Sequence, residues 1–128
     1  MFDRAPSATQ FMPSEQLSFI LYTIRDNILF AREFAKGLTS EQFQNSRLHF
    51  YAVTRALEII SEASRRLPDE LRERHPHLPW RAIRDVGNFY RHEYDNVTES
   101  YVWETVQAHL APLMVAIAAE IAALDDTP

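Results

Sequence analysis

The chain contains no cysteine and only two glycines among its 128 residues. Without cysteine, disulfide bonds and thiolate metal sites are excluded, and the redox compartment stays unspecified. The chain also lacks Asn-Gly and Asp-Gly pairs, which argues against hairpin turns and a sheet-rich fold. Apolar residues still make up 46% of the sequence, enough for one hydrophobic core. We therefore expect a single domain over residues 1–128, with 1–13 as a polar lead segment.

No hydrophobic run is long enough by itself to predict a membrane span. The most apolar stretch, residues 110–124, has 15 residues and is interrupted by Pro112 and Glu120. A spanning helix needs about 20 residues. The N-terminal segment "MFDRAPSATQ" has no basic region followed by an apolar run, so it does not have the pattern of a secretory signal. We expect a soluble cytoplasmic protein with no membrane partner.

Charge is distributed unevenly along the chain. The net charge of −5 argues against a general nucleic-acid binder. Residues 93–128 hold seven acidic residues and no Lys or Arg, whereas seven of the thirteen basic residues lie between Arg65 and Arg91. Twelve of the thirteen are arginines, whose planar guanidinium suits bidentate contact with phosphate. The pattern is compatible with a local anion site, and surface ion pairs explain it equally well.

Helical periodicity runs through almost the whole sequence. A first helix is predicted from a cap at Ser14 to a stop at Gly37, which suits the residue that follows a helix. Thr39 and Gln42 have the spacing of a capping box and are expected to begin a second helix, which Pro68 stops. The apolar residues of both segments recur every three or four positions, so each helix is predicted to bury one face.

The second half of the chain predicts further helices. Asp95 and Asn96 are expected to form a turn, and Pro112 is expected to kink the last helix. Short connections make sequential helices antiparallel, so the sequence predicts an all-α, up-and-down four-helix bundle with one additional short helix. The predicted segments are a short helix over residues 69–74, a long one from Trp80 to about Tyr90 or His92, and a last one from about Glu99 to Leu124.

The stretch "RDVGNFYRHEYDNV", residues 84–97, concentrates groups that can act on phosphate. A spacing of four places Arg84, Asn88 and His92 on one face of a helix. Histidine can pass protons near neutral pH, arginine can offset charge on a phosphorane, and an aromatic ring such as that of Tyr94 can stack on a base. These are the parts of a metal-independent ribonuclease. A helix C-terminus rich in Arg and His, which favours the helix dipole, explains the same residues.

Two other groups of residues have the composition of metal ligands. His75 and His77 flank a proline, and no carboxylate cluster accompanies them, so a solvated turn is the favoured interpretation. Glu58 and Glu62 are four apart on the second helix. A helical-bundle metal site would also need a Glu-x-x-His pattern, which is absent, so ion pairs with neighbouring arginines are favoured. No metal and no cofactor are expected.

From Tyr51 to Leu113, about half of the chain, the sequence resembles the HepT-like ribonuclease family of the HEPN superfamily. The matching segments are "AV…ALEIISEA", "RHPHLPWRAIRD", the "N…HEY" core and "VWETV…L.PL". The resemblance implies a HEPN-like helical toxin that cuts RNA without metal and forms a homodimer with its active site near the interface. It also implies a type VII-like toxin–antitoxin system, whose nucleotidyltransferase antitoxin adds AMP to a tyrosine near the catalytic histidine.

The family motif is arginine-asparagine, three residues, then histidine-x-tyrosine. Carried onto this sequence, the resemblance places the acid/base at His92, the AMP-accepting position at Tyr94 and the substrate-orienting amide at Asn88. The motif's arginine falls on Gly87, which departs from the family pattern.

The glycine at position 87 leaves three explanations open. Arg91, or less favourably Arg84, supplies the missing charge at the phosphate. Alternatively, the partner protomer supplies it across a two-fold interface. In the third explanation the chain has lost nuclease activity and is a catalytically lapsed HEPN-like protein that binds a nucleotidyltransferase or RNA without cleavage.

Overall fold

All regular structure is helical in the computed structural model, which describes residues 12–85 and 96–126. The predicted all-α class is therefore confirmed. The π-helical turn joins α6 to α7 without a break, so these elements form one long helix. The elements are α1 (Ser14–Ala35), α2 (Ser40–Gln44), α3 (Arg47–Ser64), α4 (Asp69–Glu73), α5 (residues 80–85), α6 (Asn96–Glu104), the π-helical turn (Thr105–His109) and α7 (Leu110–Asp125).

The core lies where α1 packs against α3 and α7. Tyr22 Oη, in the first half of α1, donates a hydrogen bond of 3.2 Å to Asp125 Oδ2 at the end of α7. Leu29 and Arg32, in the second half of α1, line a cavity with Ala111 at the beginning of α7. The two helices therefore run antiparallel, as the predicted up-and-down order requires. Each long helix contributes one apolar stripe to the core. Its buried residues include Ile20, Leu21, Ile24, Ile28, Val53, Leu57, Ile60, Leu113 and Ile117.

The two ends of α1 differ in how well the sequence predicted them. Ser14 was expected to cap the helix, but Pro13 occupies the cap position and no side chain caps it. The reason is that the carbonyl of Pro13 already accepts the first helical hydrogen bond, 3.0 Å from the Leu17 nitrogen. At the other end the prediction is confirmed, since Gly37 follows the helix with a φ of 80°.

We expect the substitution Gly37→Ala to lower the free energy of unfolding by about 1 kcal/mol, because an L side chain is strained at positive φ. An added Cβ would meet no atom within 4 Å, so the cost comes from the backbone alone. Urea denaturation measures the change. Gly37→Asn is the matched control and should lose less, since asparagine tolerates this region better. An equal loss in both variants would contradict the explanation.

The segment predicted as one second helix is divided in two. The capping box of Thr39 and Gln42 is present, with both reciprocal hydrogen bonds near 3 Å. However, α2 ends at Gln44, and Ser46 caps a new helix by accepting from the His49 nitrogen. Burial explains the break: the fully buried Phe43 ring lies 5.4 Å from the ring of Trp103 on α6 and 6.2 Å from that of Phe50 on α3. The short helix α2 therefore fills the space between α3 and α6.

The last helix begins earlier than expected and contains a π-helical turn before its proline. It starts at Asn96, so the predicted turn at that residue is wrong, while Asp95 lies outside the described residues. The kink near Pro112 stays a prediction; a π-helical turn precedes the proline, and the Leu110 nitrogen bonds to the Thr105 carbonyl five residues back. A proline ring clashes with the carbonyl four residues before it in a regular α-helix, and a wider turn relieves that clash.

The continuous helix Thr98–Asp125 is long and apolar enough, by length and composition, to cross a membrane. It is longer than the 15-residue run considered in the sequence because α6 and the π-helical turn extend it. The core helix of a bundle meets the same criteria, and Val102, Leu113 and Ile117 on this helix are buried in the core. Length and composition are therefore weak evidence for a membrane span here.

Candidate active site

The side chains of Ser61 on α3 and of Arg65, which directly follows α3, hold the backbone of α5 just before the predicted motif. Ser61 Oγ donates a hydrogen bond of 2.6 Å to the carbonyl oxygen of Arg84, and Arg65 Nη2 donates one of 2.9 Å to the same oxygen. Ser61 is 1% exposed, so its bond is formed away from water. Charged donors make stronger hydrogen bonds than neutral ones, so Arg65 adds to this restraint. The last described turn of α5 is therefore fixed to α3.

The beginning of α5 is fixed independently. The indole Nε1 of Trp80 donates to the carbonyl oxygens of Arg72 at 3.1 Å and His75 at 3.0 Å. A half-buried tryptophan with a satisfied N–H is a strong anchor, because it combines a large apolar contact with a directed bond. The side chain of Ile83 packs against the core from the same helix. Since α5 is held at Trp80 and at Arg84, its described residues have a defined position just before residue 86.

The predicted site residues follow α5 directly in the sequence. Asn88, Arg91, His92 and Tyr94 lie outside the described residues, as does Gly87. The structure thus shows the helix that precedes the predicted site, while the positions of the four site side chains stay predictions.

A cleft of about 190 Å³ lies between α1, which contributes Thr23, and the side of α3 that carries Ser61. Arg55 Nη1 lies 3.4 Å from Glu58 Oε1, and Arg65 Nη1 lies 3.3 Å from Glu62 Oε1. These contacts confirm the prediction that the two glutamates form ion pairs with neighbouring arginines. Pairs this long and this exposed hold their partners weakly, so the arginines can exchange a carboxylate for another anion. The charged lining residues are Arg55, Glu58, Glu62, Arg65 and Arg66.

A second cavity, of about 420 Å³, lies between α3, α5 and α7 and is mostly apolar. Leu57 and Leu113 contribute to its walls from α3 and α7, and Ile83 contributes from α5. The exposed residues His77 and His109 also line it. Its size and lining suit a flat apolar group, such as an aromatic ring.

The histidine pair considered as metal ligands has other partners. His75 Nε2 lies 2.6 Å from Glu120 Oε2, and the His75 side chain is only 14% exposed. The prediction of a solvated turn is therefore wrong for His75. His77 is exposed, as expected, and the two rings are 6.2 Å apart. Among the residues that the structure describes, no three His, Cys, Asp or Glu side chains are grouped closely enough to hold a metal ion.

Glu120 is the centre of a charged cluster that the sequence did not predict. Arg74 donates two hydrogen bonds to its carboxylate, from Nη2 to Oε1 at 2.7 Å and from Nε to Oε2 at 3.1 Å. The hydrogen bonds from Arg74, assisted by His75, lower the pKa of the Glu120 carboxyl below its ordinary value of 4.5, although burial opposes this shift. The sequence contains a signal for this cluster, because Glu120 interrupts an otherwise apolar stretch and follows Leu113 and Ile117 at the helical spacing of core residues. A carboxylate in the core needs a cationic partner.

The helical fold and the family comparison agree on the class of this protein. The family described as "Ribonuclease HepT-like" matches residues 24–120, which include α3, α5 and the motif that follows. Because the match covers well over half of the sequence, the chain belongs to the ribonuclease HepT-like family. The resemblance found in the motif is therefore confirmed across a longer range.

Several named proteins are similar to this chain over most of their length. The protein named "Probable ribonuclease HepT" of Thermococcus cleftensis is 33% identical over 73% of this chain and 84% of its own. The protein named "Putative RNase MJ1216" of Methanocaldococcus jannaschii is 33% identical over 75% of this chain and 79% of its own. The protein named "Putative RNase TTE0752" of Caldanaerobacter subterraneus is 37% identical over 66% of this chain and 75% of its own. No solved structure gave a significant match.

Proposed function

We propose that this protein is a metal-independent endoribonuclease and the toxin component of a type VII-like toxin–antitoxin system. The observation that carries the proposal is the "N…RHEY" motif in a chain of the ribonuclease HepT-like family. The names "Putative RNase MJ1216" and "Probable ribonuclease HepT" of two similar proteins support the same reaction class here. The restraint of α5 by Ser61, Arg65 and Trp80 supports it further, because catalytic side chains need a rigid support.

In the proposed reaction, His92 removes the proton from the ribose 2′-hydroxyl. The O2′–P bond forms as the P–O5′ bond breaks, and the imidazolium returns the proton to the leaving 5′-oxygen. The products are a 2′,3′-cyclic phosphate and a 5′-hydroxyl, and no other reactant is consumed. Arg91 binds the phosphate oxygens, whose negative charge grows in the transition state, and Asn88 orients the substrate.

The test is incubation of purified protein with end-labelled single-stranded RNA in the presence of a chelator. We expect endonucleolytic products that carry 2′,3′-cyclic phosphate ends. Intact-mass measurement shows beforehand whether Tyr94 carries an adduct. Unmodified protein that leaves every RNA intact would contradict the proposed function.

We further propose that a nucleotidyltransferase antitoxin silences the enzyme by adding AMP to Tyr94. Tyr94 follows His92 by two residues, so the modification would bring a charged phosphate and a base close to the catalytic imidazole. Co-expression with a nucleotidyltransferase antitoxin should add the mass of one AMP to this protein and abolish cleavage. A gain of mass in wild type that is absent from Tyr94→Phe would show that the adduct is on Tyr94. No gain of mass in wild type would contradict the proposal.

A homodimer is proposed as the active assembly. On α7 the exposed residues Ala111, Val115, Ala118 and Ala122 form one apolar stripe, and Val115 is 71% exposed. Exposed apolar surface of this kind is common at contacts between copies of a chain. Light scattering at micromolar concentration should give twice the mass of the chain, and the mass of one chain would contradict the dimer.

The glycine at the arginine position favours a second candidate function. In that function the chain binds a nucleotidyltransferase or RNA without cleavage, as a lapsed member of the family. The variant Gly87→Arg distinguishes the two: a gain of cleavage from an inactive wild type indicates a lapsed enzyme. An active wild type rules out the second function.

A further inference from the structure

A third cavity lies between the second half of α1 and the long helix that α6 and α7 form through the π-helical turn. Its volume is about 570 Å³. Pockets that hold small molecules usually measure roughly 300–1,000 Å³, so the cavity has room for a ligand of that kind. Its described walls come from α1, from the segment that follows α1, and from the long helix.

The charged side chains of this cavity are mainly cationic donors. Arg32 is half-buried and Lys36 is exposed, and the two residues are four apart at the end of α1, which places them on one side. Within residues 12–85 and 96–126, neither side chain has an ion pair or a hydrogen bond. Glu33 is the only acidic residue among the described lining residues. An anion is therefore the ligand that these unpaired donors favour.

Trp103 adds an aromatic ring and a further donor to the same cavity. The ring is half-buried and packs against Phe43 at a centroid distance of 5.4 Å, which holds the indole in position. Its Nε1–H has no acceptor among the residues that the structure describes, whereas Nε1–H of Trp80 has two. Because an indole N–H that is partly buried usually has a partner, an acceptor atom of a ligand is expected at Trp103.

We propose that this cavity binds a nucleoside monophosphate group, with the phosphate on Arg32 and Lys36 and the base against Trp103. The nucleotide is either free or part of an RNA chain. A nucleotide joins an anion to a flat ring that carries hydrogen-bond acceptors, which are the two features that the cavity accommodates. Binding at these residues requires no group of residues 86–95. An inactive wild type would therefore contradict the proposed ribonuclease function and leave this site unaffected.

The cavity borders the surface proposed for the homodimer. Ala111 belongs to the apolar stripe of α7 and also lines the cavity, whereas Arg32, Lys36 and Trp103 lie outside that stripe. We therefore expect nucleotide binding to leave the mass measured by light scattering unchanged. A cavity closed by a second copy of the chain would bind no nucleotide, which is the negative result of the first experiment below.

The first experiment is isothermal titration calorimetry of the whole protein with AMP, adenosine, inorganic phosphate and a triglutamate peptide. We expect saturable binding of AMP, with an affinity at least about tenfold higher than that of the other three ligands, because only AMP supplies both the anion and the ring. Equal affinity for phosphate or triglutamate would indicate a general anion site, such as one for an acidic protein segment, and would overturn the assignment to a nucleotide. No binding of AMP would overturn the whole inference.

The variant Arg32→Gln is expected to weaken AMP binding about tenfold, as for the loss of one hydrogen bond to a charged group. Arg25→Gln is the matched control, since Arg25 lies two turns earlier on the same side of α1, pairs with Asp26 and does not line the cavity. It should change the affinity by no more than about twofold. Glu33→Gln should strengthen binding about threefold, because it removes a like charge from the cavity.

Thermal unfolding checks that each variant folds. Equal losses of affinity in Arg32→Gln and Arg25→Gln would show that AMP responds to the general charge of α1, and would overturn its placement in this cavity.

Competition identifies the source of the nucleotide. The probe is a single-stranded RNA oligomer with 2′-O-methyl groups, in which the attacking hydroxyl is blocked, so the proposed cleavage does not occur. Displacement of AMP by this oligomer assigns the site to one nucleotide of an RNA chain. Retention of AMP assigns it to a free nucleotide. Both results support the site, since each begins from bound AMP.

The two tryptophans of the chain allow a direct test of where the base binds. Each gives one indole N–H signal in a nitrogen–proton correlation spectrum, and Trp103→Phe assigns them. AMP should shift the Trp103 signal, because its N–H gains an acceptor. The Trp80 signal is the internal control and should stay in place, since that N–H already bonds to two carbonyl oxygens. A spectrum in which AMP shifts neither signal, or only that of Trp80, would overturn the proposal.

Discussion

The substitution His92→Ala is expected to lower the single-turnover rate of RNA cleavage by about a thousandfold or more. General acid–base catalysis by one side chain contributes roughly 10²–10⁴-fold, and in the proposed reaction the same imidazole takes and returns the proton. Substrate binding should change little, since phosphate contacts come from arginines. The measurement is the cleavage rate constant at saturating enzyme, with a chelator present.

The matched control is His109→Ala, which removes an exposed imidazole on the π-helical turn. We expect this variant to cleave at the wild-type rate. The pH dependence provides a further check, because an imidazole ordinarily titrates near neutrality and its removal should flatten the profile there. Equal activity of His92→Ala and wild type would remove His92 from the reaction, even if the protein cleaves RNA.

The substitution Glu120→Gln is expected to lower the free energy of unfolding by about 2 kcal/mol at neutral pH. The neutral amide loses the charge-assisted part of the bonds to Arg74 and His75, and each bond to a charged group is worth about 1.5–3 kcal/mol. The Arg74 side chain is 55% exposed, so water replaces part of the hydrogen bonding that it loses. The expected loss of stability is therefore well below the sum of the individual bond energies. Urea denaturation at pH 7 measures the change.

The pH dependence of this effect follows from the direction of the pKa shift. The pKa of Glu120 is lowered in the folded state, so folding favours the ionised carboxylate. Its contribution is therefore complete above the ordinary pKa of 4.5 and is lost as the pH falls through the lower pKa of the folded state. Wild type and Glu120→Gln should consequently approach the same stability only in acid, as the pH falls below the lowered pKa of the folded state.

The control for this prediction is Glu33→Gln, which neutralises an exposed carboxylate of α1. It should change stability by less than about 0.5 kcal/mol at any pH. A double-mutant cycle with Arg74→Gln should give a favourable coupling energy between Arg74 and Glu120 at neutral pH. If the difference between wild type and Glu120→Gln stayed constant from pH 7 to pH 3, the assigned cause of the pKa shift would be wrong.

Helix positions were largely predictable because their signals are local. Apolar spacing, the capping box of Thr39 and the glycine at position 37 act within a few residues, and each was confirmed. The division between α2 and α3 was not predictable in the same way. Phe43 and Phe50 are spaced as on one continuous helix, whereas in the structure Ser46 caps a new helix and Phe43 packs against Trp103, far away in the sequence.

The candidate site likewise has a part that the sequence predicts and a part that depends on tertiary packing. The motif with His92 and Tyr94, and the replacement of its arginine by Gly87, can be read from the sequence alone. The position of Arg65 could not be predicted, because the sequence shows only a run of arginines that also fits surface ion pairs. Its contact with the Arg84 carbonyl depends on how α3 is rotated about its axis when it packs against α5.

The sequence by itself determined the all-α class, the family and the groups available for chemistry on RNA. Tertiary structure alone decided which charges meet: Arg65 reaches a carbonyl 19 residues away, and Glu120 pairs with Arg74 across 46 residues. The physical reason is the range of the forces involved. Helix formation and motif spacing depend on neighbours along the chain, whereas the partner of a charged side chain is set by the packing of whole helices against each other.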